Sequence, residues 1–372
     1  MIKVKVSKSS LLNSLQRIAN VIRDNRAIPA ASGVFFEVRN EVMEIRGTDL
    51  DITMVDKIEV ESEGSGSFVV KPSTLIEYLK ELSEDSLEIK YEGNAILIAT
   101  AHSSTSFSTY SSNDFPNTYN FEGNISKDIS VDILTEGIEK TILGASSHND
   151  NLALSCVRIE IASTLKMVTN DAYRLFYYEN KDVQSDPEIK VSLPLKTANI
   201  LLRILKAERI NKCTISMSKN QICFFLDKLT ILSKIVNLPY IDYEKFISSQ
   251  SSTVEVTCET NEIIGALRRV HLFARENIDT RNGAIFSFED ETLKIDAFSE
   301  ISKIEEVVPI KKLGNNMKIS LNVKFMLDFL NQIDDKFSLK MKNKDSSVLL
   351  SKKGQSNFKC VVMPFLLPAA YR

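Results

Sequence analysis

Apolar and polar positions along this chain follow two alternating periods, and the order of those periods recurs. Leu11, Leu12, Leu15, Ile18 and Ile22 fall at helical spacing inside Ser7 to Arg23, which predicts an amphipathic helix. Similar helices are predicted over Val131 to Gly144 and Thr260 to Arg275, with Ser7, Ser130 and Thr260 as candidate caps. Each helix is followed by a strand pattern: Ala31 to Val38, Leu154 to Ile161, and Asn282 to Glu289. A second strand then runs into a polar turn: Met43 to Asp49, Leu165 to Asp171, and Leu293 to Ser299. A second helix begins near Lys71, Leu193 and Leu321, with Pro72 and Pro194 suited to a first helical turn. Strand patterns close each copy: Leu87 to Ile98, Cys213 to Val236, and Phe337 to Leu350.

The period is about 125 residues, too long for a solenoid, whose repeats run to about 50. It predicts an α+β fold of three similar domains in tandem: 1–124, 125–248 and 249–372. The polar stretches Phe121 to Asn124 and Ser248 to Ser252 are the candidate junctions. Ser103 to Ser112 resembles a linker in composition, but Phe107 and Tyr110 among β-favouring Ser and Thr predict an edge strand. In the middle copy the runs Leu165 to Val168 and Leu175 to Tyr178 flank polar residues, a hairpin with Arg174 and Leu175 at its mouth. Such a pair can line a groove or belong to an ordinary solvated hairpin.

Composition narrows the functional classes. Hydrophobic residues at 43% and charged residues at 26% suit a soluble globular protein. No apolar run approaches the roughly 20 residues of a membrane span, and the alternating start Met1 to Val6 lacks the apolar core of a signal peptide. A cytoplasmic location is therefore expected. The five cysteines are scattered without a Cys-x-x-Cys pair, and His102, His148 and His271 lie far apart, so reduced core cysteines and no metal or cofactor are expected. No phosphate-binding glycine loop, nucleophile elbow or zinc-protease motif occurs. Asp49 and Asp51 form a short acidic pair of the kind common on exposed turns. A binding protein without catalysis is the expected class, and a tandem-domain scaffold stands beside it.

Several stretches, in order and spacing, carry a family resemblance. These are Ile28-Pro29, Gly47-Thr48-Asp49-Leu50, Ser112-Asn113-Asp114-Phe115-Pro116-Asn117, Asn170 to Leu175, Ser233-Lys234 with Asp242-Tyr243, and Val361-Val362-Met363-Pro364. Over essentially its whole length the chain resembles the bacterial DNA polymerase III β subunit, the sliding clamp. The resemblance implies three copies of the DNA clamp fold, each with two helices on antiparallel sheets, and a homodimer closing head to tail around double-stranded DNA. It implies a non-catalytic processivity role for the replicative polymerase. Partners would be the polymerase III α subunit, the clamp loader, other polymerases and repair proteins, bound through short linear motifs.

The resemblance also implies site residues. Leu154, Asn170, Ala172, Tyr173, Arg174, Leu175, Ile241, Lys245, Phe246 and Phe325 would form a peptide pocket with Val361, Met363, Pro364, Phe365 and Leu366. Phe107 in the first domain would meet Leu272 and Phe273 of a second chain. Counted over Ser7–Arg23, Lys71–Leu82, Val131–Gly144, Leu195–Arg209, Thr260–Glu276 and Asn322–Ile333, the predicted helices carry 14 basic and 9 acidic residues within a chain of net charge −3. Lys8, Arg17, Arg23, Lys196, Arg203, Lys206, Arg209, Arg268, Arg269 and Arg275 are the candidates to face DNA. The chain departs from the family pattern at Asn149 to Ala153, where an arginine is usual, at Tyr173 and Phe325, and in its longer, more apolar end Phe365 to Arg372. These departures suggest a more apolar partner motif, and leave open a paralogous clamp acting in repair or in a specialised replicon.

Overall fold

The computed structural model describes residues 2–148, 151–248, 252–277, 282–299 and 301–365. The first repeat comprises β1 (Ile2–Ser7), α1 (Lys8–Ala19), β2 (Val34–Arg39), β3 (Val42–Thr48), β4 (Ile52–Glu59), β5 (Glu61–Glu63), β6 (Gly66–Val70), α2 (Pro72–Glu81), β7 (Ser86–Tyr91), β8 (Ala95–Ala99) and β9 (Ser104–Tyr110). The second runs through β10 (Ile125–Ser130), α3 (Val131–Thr141), β11 (Cys156–Ile161), β12 (Leu165–Asn170), β13 (Arg174–Asn180), β14 (Ile189–Pro194), α4 (Leu195–Ala207), β15 (Lys212–Met217), β16 (Gln221–Leu226) and β17 (Leu229–Lys234). A short helix, α5 (Glu244–Ile247), leads into the third. That repeat holds β18 (Val254–Glu259), α6 (Thr260–Ala274), β19 (Gly283–Glu289), β20 (Thr292–Phe298), β21 (Lys303–Pro309), β22 (Lys311–Gly314), β23 (Met317–Asn322), α7 (Val323–Leu330), β24 (Lys336–Met341), β25 (Val348–Lys352) and β26 (Phe358–Val362). The threefold order read from the apolar pattern is therefore present in the fold.

The chain divides into two compact units, Met1–Thr135 with Lys196–Asn237, and Glu136–Leu195 with Leu238–Arg372. The second repeat contributes to both. In the first unit a sheet runs β10-β15-β16-β17-β4-β3-β2-β6-β9-β8-β7-β1-β5, and antiparallel pairing of β17 with β4 joins strands of the first two repeats. The other unit contains a sheet in the order β14-β11-β12-β13-β26-β25-β24-β18-β22, in which β13 pairs with β26, and a four-stranded sheet β21-β20-β19-β23. The two joining registers correspond: Ile52 lies opposite Ser233 and Thr53 opposite Leu232, as Arg174 lies opposite Val362 and Leu175 opposite Val361. Bonds between repeats are thus ordinary sheet bonds, whose edge groups must be paired somewhere.

Helix ends differ in places from expectation. Ser7 caps α1, its hydroxyl accepting from the Ser10 amide, and Pro72 opens α2. Thr260, expected as a cap, is the first residue of α6, and its buried hydroxyl has no partner among the described residues. Pro194 belongs to the end of β14 rather than to a helical turn. Its fixed φ suits a strand end as well as a first turn, so the residue type alone does not separate the two.

All five cysteines are buried and free. Burial pushes the Cys156 thiol up to about 11 and those of Cys213, Cys223 and Cys258 to about 12. Unfolded thiols titrate near about 8.5, so above that value the unfolded chain sheds protons that the native one keeps, and stability falls as pH rises toward the native values. At pH 8 the native protein is expected to be inert to an aromatic disulfide reagent, with five thiols reacting only after denaturation. Fast reaction of the native protein would contradict this packing.

Candidate functional site

One turn geometry is built three times. In the second repeat the Asp171 amide donates to the Arg174 carbonyl (3.2 Å), and the Asp171 carboxylate accepts from the amides of Tyr173 (3.1 Å) and Arg174 (3.0 Å). In the first repeat Asp49 accepts from Asp51 (3.0 Å) and Ile52 (2.8 Å) in the same way. In the third, the Ser299 hydroxyl accepts from Ile301 (3.4 Å) and Ser302 (3.0 Å). Short oxygen-bearing side chains hold their own backbone two and three residues on, which fixes a tight turn. Ala172 (φ 74°) and Leu50 (φ 77°) occupy the left-handed region at equivalent places, a conformation few side chains adopt without support.

The middle turn opens an apolar pocket of about 60 Å³, lined by Asn170, Ala172, Arg174, Leu175, Ile241, Phe246, Val361 and Met363. Its floor belongs to a small core of Val168, Leu175, Tyr177, Tyr243, Ile247 and Val361. Two tyrosines fix the 240–247 segment that supplies Ile241 and Phe246: Tyr240 donates to the Val168 carbonyl (3.1 Å) and Tyr243 to Glu160 (2.7 Å). Burial would raise the Glu160 pKa, but bonds from Arg158 and Tyr243 hold it below its usual value, so an ionised acceptor is kept for Tyr243. The Met363 amide donates to the Tyr173 carbonyl (2.8 Å), carrying the chain past the end of β26 along the pocket.

Arg174 is immobilised. Its guanidinium is bonded to Asp171 (3.0 Å) and Asp328 (2.5 Å), and its Cζ lies 4.2 Å from the centre of the Phe325 ring. With two carboxylates on it, this side chain offers the pocket a shaped wall rather than an uncompensated charge. Asn170 is 3% exposed, with the Tyr240 hydroxyl against its side chain.

Eight of the expected pocket residues line this cavity. Tyr173 stands at its rim, 64% exposed, and Phe325 acts through Arg174. Lys245 instead pairs with Asp242 at 2.9 Å. Leu154 lies in the turn after Asn151, Pro364 follows Met363, and the Phe365 amide donates to Ser320 (3.2 Å); none of these three lines the cavity. Leu366 is outside the described residues, as are Asn149 and Asp150. Sequence reasoning missed Tyr240, Tyr243, Asp171 and Asp328 as supports. Asp171 was legible as a turn-holding Asx residue, whereas Asp328 reaches Arg174 only through the fold.

The helix cations separate into two groups. Arg17 is bonded to Asp56 (2.8 Å) and Glu208 (2.5 Å), Lys196 to Asp49, and Arg269 to Glu306 (2.7 Å). Burial opposes the charge on Arg17, yet the two carboxylates raise its pKa. These three are engaged by acids, and their helix position alone did not reveal it. Lys8 donates to the Leu82 carbonyl, Arg23 to Asn20 and Ile22 carbonyls, Arg203 to Asn20 and Arg268 to Asn331, all neutral acceptors. Lys206, Arg209 and Arg275 are exposed.

Two strand edges are open. The outer side of β21 has no partner among the described residues, and Ile301 (94%), Val307 (58%) and Leu272 (48%) are exposed there and on the adjoining α6. In β9, residues 104–108 pair only with β8, and pairing with β6 is confined to Thr109 and Tyr110. Phe107 is half-buried with its ring 5.9 Å from that of Tyr78, and Phe273 on α6 is half-buried.

The described residues thus hold three repeats of one fold and an apolar pocket beside the middle turn. Family profiles of the DNA polymerase III beta subunit match in order: the N-terminal domain at residues 2–119, the central domain at 128–242 and the C-terminal domain at 249–366. The chain belongs to the DNA polymerase III beta subunit family. The beta sliding clamp of Pseudomonas putida is 25% identical over 368 residues, 97% of this chain and 99% of that one. That of Haemophilus influenzae is 22% identical over 367 residues, covering 97% and 99%. A crystal structure of the Pseudomonas aeruginosa DNA polymerase sliding clamp matches at a TM-score of 0.92 and 24% identity over 99% of this chain and 100% of that one. The Bacillus subtilis sliding clamp matches at 0.92 and 22% over 99% and 100%.

Replacing Arg174 by Ala removes the cation from Asp171 and leaves Asp328 with only Lys324, 3.4 Å away. This is expected to cost about 1–3 kcal/mol, read as a lower unfolding midpoint in urea. Asp328→Ala, which spares the Asp171 pair, should cost less. An Arg174→Ala protein as stable as wild type would show that the triad does not support the pocket.

Proposed function

We propose that this chain is a homodimeric ring that encircles duplex DNA and tethers a replicative polymerase, with no catalysis of its own. The observation that carries the reading is the unfinished strand pairing. In the first two joints, the strand after the turn takes the last strand of the next repeat: β4 takes β17, and β13 takes β26. β21 is the third such strand, and β9 is the last strand of the first repeat, with its equivalent edge open. The repeats, bounded at 1–124, 125–248 and 249–372, therefore end in two complementary edges. A second copy supplies β9 to β21 and the reverse, giving two identical contacts between unlike surfaces. Leu272, Phe273 and Ile301 would lie at each contact, with Phe107 behind β9.

A closed ring holds DNA by topology, so its cations need only weak, sequence-independent contacts with phosphates. Arg23, Arg203, Arg209, Arg268 and Arg275 fit this part better than Arg17, Lys196 and Arg269, whose charges are met by carboxylates. The pocket accepts an apolar side chain of a short linear motif on the polymerase, the clamp loader or a repair protein. Met363 and Phe246 supply adaptable and aromatic walls.

Sedimentation tests assembly. Wild type is expected to run as a dimer, and Leu272→Ala/Phe273→Ala to shift toward monomer with its circular dichroism unchanged; an undiminished dimer would contradict the joint. Calorimetric titration tests the pocket. A Leu- and Phe-containing motif peptide from a polymerase α subunit should bind Leu175→Ala/Met363→Ala at least about tenfold more weakly than wild type, about 1.4 kcal/mol. Equal affinity would place docking elsewhere.

A further inference from the structure

The joint between β4 and β17 carries a groove of about 430 Å³ beside the first-repeat turn. Its place in the strand register matches that of the motif pocket: Thr53 stands where Leu175 stands, Leu232 where Val361 stands, and Lys234 where Met363 stands. Counting from the turn places Asp51 at the position of Tyr173, and counting from Pro116 and Pro239 places Thr118 at that of Ile241. The backbone is repeated while polar side chains take most of the lining, with Leu50 and Leu232 the apolar residues that remain.

The polar lining is specific. Thr53, 3% exposed, donates to the Thr118 hydroxyl (2.7 Å) and shares a hydrogen bond with Thr48 (3.0 Å). A linked row of hydroxyls thus occupies the floor that Leu175 makes apolar in the other copy. Above it the Lys234 ammonium pairs with the Asp51 carboxylate at 2.9 Å. An apolar anchor entering here would desolvate that pair and the hydroxyls without replacing their bonds, at a cost that its own burial does not offset.

We propose that this groove is a second, silenced copy of the motif pocket. Asp51, Thr53, Thr118 and Lys234 are the residues that restrict apolar motif peptides to one site per chain. The inference rests on the reading of the Leu175 pocket as the motif site. It makes specificity within the chain a matter of four side chains placed on a repeated backbone.

The test transplants the second-repeat residues: Asp51→Tyr/Thr53→Leu/Thr118→Ile/Lys234→Met. Titration of the same motif peptide should give one site per chain in wild type and two in this variant. When Leu175→Ala/Met363→Ala is added, the remaining site should bind within about tenfold of the wild-type pocket. Asp51→Tyr/Lys234→Met alone, which leaves the buried hydroxyls intact, should gain weaker binding at the new site and guards against loss of fold in the fourfold variant. Two sites in wild type, or one site in both folded variants, would overturn the inference while leaving the motif pocket standing. No binding to wild type would overturn the pocket reading itself and this inference with it.

Discussion

Antiparallel pairing between the strand that follows each polar turn and the last strand of the next repeat is the constraint on which the rest depends. A strand edge left open exposes a row of amides and carbonyls that water or another chain must satisfy. Within this chain the demand is met twice, at β4 with β17 and at β13 with β26. Among the described residues, β21 and the greater part of β9 are left with an unpaired edge. The same bonding that builds each joint therefore also sets the geometry in which another copy can be added. The turn beside each joint is held by its own oxygen-bearing side chain, Asp49, Asp171 or Ser299, so a groove-forming corner is a by-product of the repeat.

What distinguishes the corners is side-chain chemistry. In the second repeat the corner is floored by Leu175 and Val361 and walled by Met363 and Phe246, with Arg174 locked by Asp171 and Asp328. In the first, hydroxyls and a Lys–Asp pair take those places. The exposed pair contributes little to stability, and its effect is on what can bind. Buried polar groups that already have partners make a poor seat for an apolar anchor, and an apolar seat discriminates in the opposite sense.

The repeat order was legible because helical and strand periods alternate in the same sequence three times, and the helix starts at Val131 and Thr260 fall where the apolar spacing placed them. The hairpin at Asp171 was legible from its flanking apolar runs. Pairings distant in sequence were not. Nothing local in Arg17 announces that Asp56 and Glu208 meet it across 39 and 191 positions, or that Asp328 closes on Arg174 from 154 residues away. The charge surplus on the helices was therefore real, but which cations are met by a carboxylate was set by tertiary neighbours. Most of the pocket residues followed from the family pattern. Their supports, Tyr240 and Tyr243, required the path of the 240–247 segment to be seen.

On the ring proposal the chain would act by enclosing DNA rather than by gripping it. The direct measurement is retention on DNA in high salt after loading by a clamp loader with ATP onto a nicked circular plasmid. Enclosure predicts that the protein stays on the circle in about 1 M salt, where phosphate contacts are screened to about 3 Å, and leaves promptly when one restriction cut linearises it. Loss from the intact circle as salt rises, or retention that persists after linearisation, would contradict the account.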